Sequence, residues 1–86
     1  MDVIIIEDEG YNVKLLKGML LKIRPEWNVV QVFDRVTTTV EYFKHNAQPS
    51  LIFMDIQLAD GISFSIFDQV EITCPIIFTT AYDEYA

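Results

Sequence analysis

Apolar residues fall along this chain in two alternating rhythms. Val3-Ile4-Ile5-Ile6 and Leu51-Ile52-Phe53-Met54 are unbroken runs, the pattern of strands buried on both faces, as in a parallel sheet. The valine-rich stretch from Asn28 to Phe33 and the run Ile76-Ile77-Phe78 after Pro75 also read as strands. Between these runs the apolar spacing changes to three and four. Val13, Leu16, Leu20 and Ile23 make a stripe widened by Leu15 and Met19, with Lys14, Lys17 and Lys22 at other positions. That stripe predicts an amphipathic helix, closed at Arg24 by Pro25. Val36, Val40, Phe43 and Ala47 predict a second helix from Arg35 to about Ala47. Thr37 to Thr39 weaken its propensity, so tertiary packing must hold it. Ile62, Ile66, Phe67 and Val70 predict a short third helix after the turn signal Asp60-Gly61, and Tyr82 to Ala86 would begin a fourth.

The order β-α-β-α-β-α-β predicts an α/β fold with a doubly wound parallel sheet, right-handed crossovers and helices on both faces. No internal repeat, low-complexity tract or linker divides residues 1–86, which predicts one domain.

Polar groups stand where these strands end. Glu7 and Asp8 follow the first, Asp55 the third and Thr80 the fourth. In open α/β sheets the ligand crevice lies at the carboxyl ends of the strands, at a topological switch point. With the first and third strands as neighbours, Glu7, Asp8 and Asp55 would share a pocket. Crowded carboxylates repel and shift one another's titration unless a cation joins them. A hard divalent ion, Mg2+ above all, suits such oxygen ligands. Beside such an ion, an exposed carboxylate can act as nucleophile toward a phosphoryl group, with a hydroxyl such as that of Thr80 donating to one of its oxygens. Plainer roles exist, Asp55 as a turn cap and Glu7 to Glu9 as acids at a helix N-terminus. They explain single residues but not the matched placement of Asp55 and Thr80.

Composition narrows the picture further. The chain has 86 residues and a net charge of -7 from 13 acids and 6 bases. Such a balance argues against this segment gripping nucleic acid or an anionic membrane by itself, and suits cations or basic partners. At 51% hydrophobic it is no disordered tail. The single cysteine, Cys74, excludes an internal disulfide, fits a reducing cytosol and reads as a small buried hydrophobe. No apolar run approaches the roughly 20 residues of a membrane span, and Val3 to Ile6 is too short for a leader. A soluble, cytoplasmic chain is expected.

Taken together, Glu7-Asp8, "LIFMDIQLADG" and "PIIFTTAYDEYA" resemble the receiver (flavodoxin/CheY-like) domain of two-component response regulators, most of all the LytTR (LytR/AlgR-like) branch. The resemblance implies that Asp55 accepts a phosphoryl group from a sensor histidine kinase. It implies that Asp8 and Asp55 bind Mg2+ directly, with the Gln57 main-chain carbonyl as a further ligand and Glu7 assisting through water. Thr80 would be the switch hydroxyl, with the small Ala81 beside it leaving access to the site. Gly10 stands where many relatives carry proline, a mild loss at a helix start. A domain of this family would continue through a fifth strand carrying a phosphate-pairing lysine, and a fifth helix, with a LytTR DNA-binding domain beyond. None of these is present in the sequence, so the chain is expected to be a truncated receiver, an excised fragment or the product of a shortened gene. Its fourth strand would then be an open edge, which predicts self-association as a dimer or swapped oligomer.

Two other readings compete. One is a receiver-shaped interaction fragment without chemistry. The other is a phosphatase of the haloacid-dehalogenase kind, which forms an aspartyl-phosphate but wants a second acid two residues after the first. Gln57 occupies that position, which argues against turnover and for a protein that is not an enzyme. Trp27 is expected as a partly buried loop aromatic, His45 as a solvated helix-end residue, Tyr82 and Tyr85 as ordinary helix residues, and Asp60 as an outlying acid at best.

Overall fold

The computed structural model describes residues 1–79. In chain order the elements are β1 (Asp2–Ile6), α1 (Gly10–Ile23), β2 (Asn28–Phe33), α2 (Val36–His45), β3 (Leu51–Met54), the hairpin strands β4 (Gln57–Leu58) and β5 (Gly61–Ile62), a 3-10 turn (Ser63–Ile66) and β6 (Ile76–Phe78). β1, β2, β3 and β6 form one parallel sheet in the order β2-β1-β3-β6. β1 and β3 are neighbours in register, Ile4 beside Ile52 and Ile6 beside Met54.

Strand side chains alternate between faces, and each face has its own core. Ile4, Ile6, Ile52 and Met54 pack with Val36, Val40 and Phe43 of α2, Leu58 of the hairpin and Ile66 of the 3-10 turn. Val3, Ile5, Leu51 and Phe53 pack on the other face with Leu20 of α1, and Val13, Leu16, Trp27 and Val29 close around them. This is the doubly wound arrangement that unbroken apolar runs require, because both faces of β1 and β3 must be covered.

Four expectations are corrected. The third helix over Ile62 to Val70 is a single 3-10 turn followed by turns, with Phe67 N–H bonded to Phe64 and Gln69 N–H to Ile66. Ile62 is consumed by the hairpin, and Ser63, Phe64 and Ser65 are weak helix formers, so too little chain remains to propagate an α-helix. The second helix stops at His45 rather than Ala47, because the Asn46 side-chain amide caps the Tyr42 carbonyl at 2.9 Å. On α1 only Val13, Leu16 and Leu20 meet the sheet, while Ile23, Leu15 and Met19 are exposed. Leu15 and Met19 instead line a surface groove with Glu7, Asn12, Leu16 and Thr79. Cys74 is half-buried, and burial pushes its thiol up, against a weaker opposing hydrogen bond from its own backbone.

Trp27 is partly buried, with the Arg24 guanidinium 5.8 Å from its ring. His45 is exposed and paired with Glu41 at 3.0 Å. No described helix is long and apolar enough to cross a membrane.

Candidate functional site

The ladder of the sheet runs one residue past the strands, and this builds the site. Glu7 N–H donates to the Phe33 carbonyl at 2.8 Å, Asp55 N–H to Ile6 at 2.8 Å, and Thr79 N–H to Met54 at 3.0 Å. Glu7, Asp55 and Thr79 therefore stand side by side at the carboxyl edge, each held by its backbone. With Asp8, Glu9, Asn12 and Gln57 they line a cavity of about 220 Å³.

Glu7, Asp8 and Asp55 each bring a carboxylate oxygen to this cavity, all within 4.8 Å of one another. Their environments differ. Glu7 is buried, Asp55 half-buried and Asp8 exposed. Burial pushes the Glu7 carboxyl up to about 7, against the Glu9 amide that bonds its Oε2 at 3.1 Å, and the neighbouring carboxyls of Asp55 and Asp8 raise it further. A cation bound among these carboxylates would favour the charged form of Glu7 and so oppose that rise. On Asp55, Oδ1 accepts from the Ile56 amide at 2.8 Å. A donor set of clustered carboxylate oxygens, one of them buried, fits a hard divalent cation.

No protein-family profile matches the chain. The sensory transduction protein LytT of Bacillus anthracis is 32% identical over an alignment that spans this whole chain and 35% of LytT. The chain thus covers about a third of the length of that relative. Among solved structures, the receiver (REC) domain of the PhyR response regulator of Erythrobacter litoralis is 31% identical, with a TM-score of 0.72 over 98% of this chain and 65% of the other. The response regulator PhyR from Brucella abortus superposes with a TM-score of 0.79 at 26% identity, over 98% of this chain and 35% of that one. The chain has the fold of a response-regulator receiver domain, and its sequence is similar to LytT along its whole length.

The site residues expected from the sequence fall into place unevenly in this fold. Glu7, Asp8 and Asp55 converge, and Gln57 joins them from β4. Thr80, Ala81, Tyr82, Tyr85 and the beginning of a fourth helix lie outside the described residues. Asn12 and Thr79 line the cavity and were not anticipated. For Thr79 a signal existed, since it directly follows an apolar run just as Asp55 does. Asn12 had none, because only the docking of α1 brings its first turn over the cavity.

Asp60 has a larger role than expected. The hairpin that carries Gln57 turns through Ala59 and Asp60 and closes at Gly61, whose φ of +146° suits glycine. From this loop Asp60 reaches α2: Oδ1 accepts the Val36 amide at 2.6 Å and Oδ2 the Thr37 amide at 3.1 Å. Desolvation, the largest single influence, disfavours the charged form. Those two amides, together with the Thr37 side chain and the backbone of Asp60 itself, outweigh it and hold the Asp60 carboxyl below the usual carboxylate range. The visible signal was Arg35 at the N-cap, a residue that cannot accept amide protons, so that the cap had to come from elsewhere.

Proposed function

We propose that this receiver accepts a phosphoryl group on Asp55 from the phosphohistidine of a sensor histidine kinase, with Mg2+ bound in the acid cluster. The observation that carries this reading is the convergence of Glu7, Asp8 and Asp55 on one cavity at the carboxyl edge. Asp8 and Asp55 would hold Mg2+ directly, with the Gln57 main-chain carbonyl as a further ligand and Glu7 acting through water. When bound, the ion neutralises charge on the carboxylates and on the phosphoryl oxygens. The Ile56 amide engages Oδ1 of Asp55 and so orients the carboxylate, which leaves Oδ2 as the attacking oxygen. As its bond to phosphorus forms, the bond from phosphorus to the imidazole nitrogen breaks, and the freed imidazole takes its proton from solvent. Thr80 acts as the switch hydroxyl toward the phosphoryl group.

The reading makes this chain an acceptor rather than an enzyme. Gln57, where a phosphatase of the haloacid-dehalogenase kind would need a second acid, supports that assignment. The phosphorylated receiver would act in the cytoplasm, controlling transcription through a LytTR DNA-binding domain outside residues 1–86. Nucleic acid would not contact this acidic segment directly. Self-association is part of the proposal: among the described residues β6 pairs only with β3, and Ile77 and Phe78 are exposed on it.

Intact mass after incubation with Mg2+ and acetyl phosphate tests the acceptor. A gain of one phosphoryl group that needs Mg2+ is expected. No gain in a sample shown to be folded by circular dichroism would leave a receiver-shaped interaction module without chemistry.

A further inference from the structure

The β4–β5 hairpin follows Asp55 directly, and it is fastened to α2 as well as to the acceptor. At the acceptor end, the Asp55 carboxylate holds the Ile56 amide at 2.8 Å, and the Ile56 carbonyl accepts the Ser63 amide at 2.8 Å, closing the base of the hairpin. At the far end, the Ala59 amide donates to the Asp34 carbonyl at 3.1 Å, and the Asp60 carboxylate takes the amides of Val36 and Thr37. Those amides belong to the first turn of α2, where a helix has no acceptors of its own. Arg35, at the N-cap, gives no side-chain cap bond. Beneath the loop, Leu58 is buried in the same core as Val36, Val40 and Ile66. Short links thus lead from the Asp55 carboxylate through the hairpin to the start of α2, and Asp60 is the side chain that joins the last two parts.

We propose that Asp60 is a positioning residue that locks the hairpin and the first turn of α2 into one unit, so that a change at the Asp55 carboxylate is felt at the start of α2. The lock stands on geometry alone, whereas the transmission rests on the proposed acceptor and cation reading. Backbone placement sets the strength of the coupling. A cap that spans 23 and 24 residues of sequence ties two segments together, whereas a cap from the neighbouring residue would steady only the helix it begins.

Amide hydrogen exchange and amide chemical shifts on the whole 86-residue chain test both parts, using wild type, Asp60→Ala and Asp60→Asn. Asp60 is exposed and Gly61 carries the unusual backbone angle, so both variants retain the fold. Asp60→Ala is expected to speed exchange by about fivefold or more at Val36 and Thr37, and by a similar factor at Ala59 and Ser63. Asp60→Asn, whose amide oxygen still accepts one bond, should fall between. Acceleration confined to Val36 and Thr37 would make Asp60 a plain helix cap and overturn the lock. Mg2+ added to the same samples is expected to shift Glu7, Asp8 and Ile56 in every variant, and Val36 to Thr39 only where Asp60 is present. Shifts in α2 that persist in Asp60→Ala, or α2 silent in wild type while the site responds, would overturn the transmission. If Mg2+ moves nothing at the wild-type site, the cation reading fails and the transmission fails with it, while exchange alone decides the lock.

Discussion

The amide of Asp55 donates to the carbonyl of Ile6 at 2.8 Å, and this one ladder bond sets the Asp55 carboxylate beside the acid pair at the end of β1. A central position in a parallel sheet makes the site rigid, since Glu7 and Thr79 are fixed by the same kind of bond on either side. Removing a proposed ligand should therefore weaken the proposed cation binding without disturbing the frame. Asp8→Asn and Asp55→Asn are each expected to weaken Mg2+ binding by about tenfold or more in titration calorimetry. Unchanged affinity in both would place the cation elsewhere.

Glu7 gives the cation-free chain a particular pH dependence. Its carboxyl is raised from 4.5 to about 7 in the folded chain, first by burial. Between those values the folded state binds more protons than the unfolded state, so stability falls as pH rises. The contribution is fully present below 4.5 and lost above about 7. Urea unfolding with a chelator present should show that decline, and Glu7→Gln or saturating Mg2+ should flatten it. A slope unaltered by Glu7→Gln would assign it to the net charge of the chain instead.

Burial on both faces of the sheet predicts an uneven response to truncation. Ile52 is fully buried between β1 and β6, and Ile52→Ala should cost about 2–5 kcal/mol in denaturant unfolding. Leu21, 70% exposed on α1, should change stability by no more than about 0.5 kcal/mol when cut to alanine. Similar costs at the two positions would contradict the packing.

The proposed self-association can be checked by charge. Ile77 shares the α1 face with Phe53, its β3 partner, and is exposed on β6. Ile77→Lys should shift light scattering at micromolar concentration toward monomer, because an edge lysine opposes strand pairing. A wild-type chain that is already monodisperse and monomeric would refute the association.

How much of this was legible in the sequence depended on the range of the forces involved. The four strands and α1 were readable because burial on one or both sheet faces imposes a local apolar period, and Asp55 was readable because it ends such a run. The 3-10 turn at Ser63 was not, because its apolar residues keep helical spacing while the hairpin takes away the first turn. Nor was Asp60 at the start of α2, since a cap from 24 residues away leaves no local mark beyond the poor capper Arg35. The burial of Glu7 among three successive acids likewise follows from which carboxylate the β1 ladder turns inward, a tertiary outcome.

The most direct measurement of the central claim is site-resolved. After incubation with Mg2+ and acetyl phosphate, borohydride reduction converts an aspartyl-phosphate to homoserine, and peptide mass spectrometry locates it. Homoserine at position 55, absent without Mg2+ and absent in Asp55→Asn, is the predicted result. A folded chain that yields no homoserine, or yields it at Asp8 or Asp60 instead, would contradict the assignment of Asp55 as the acceptor.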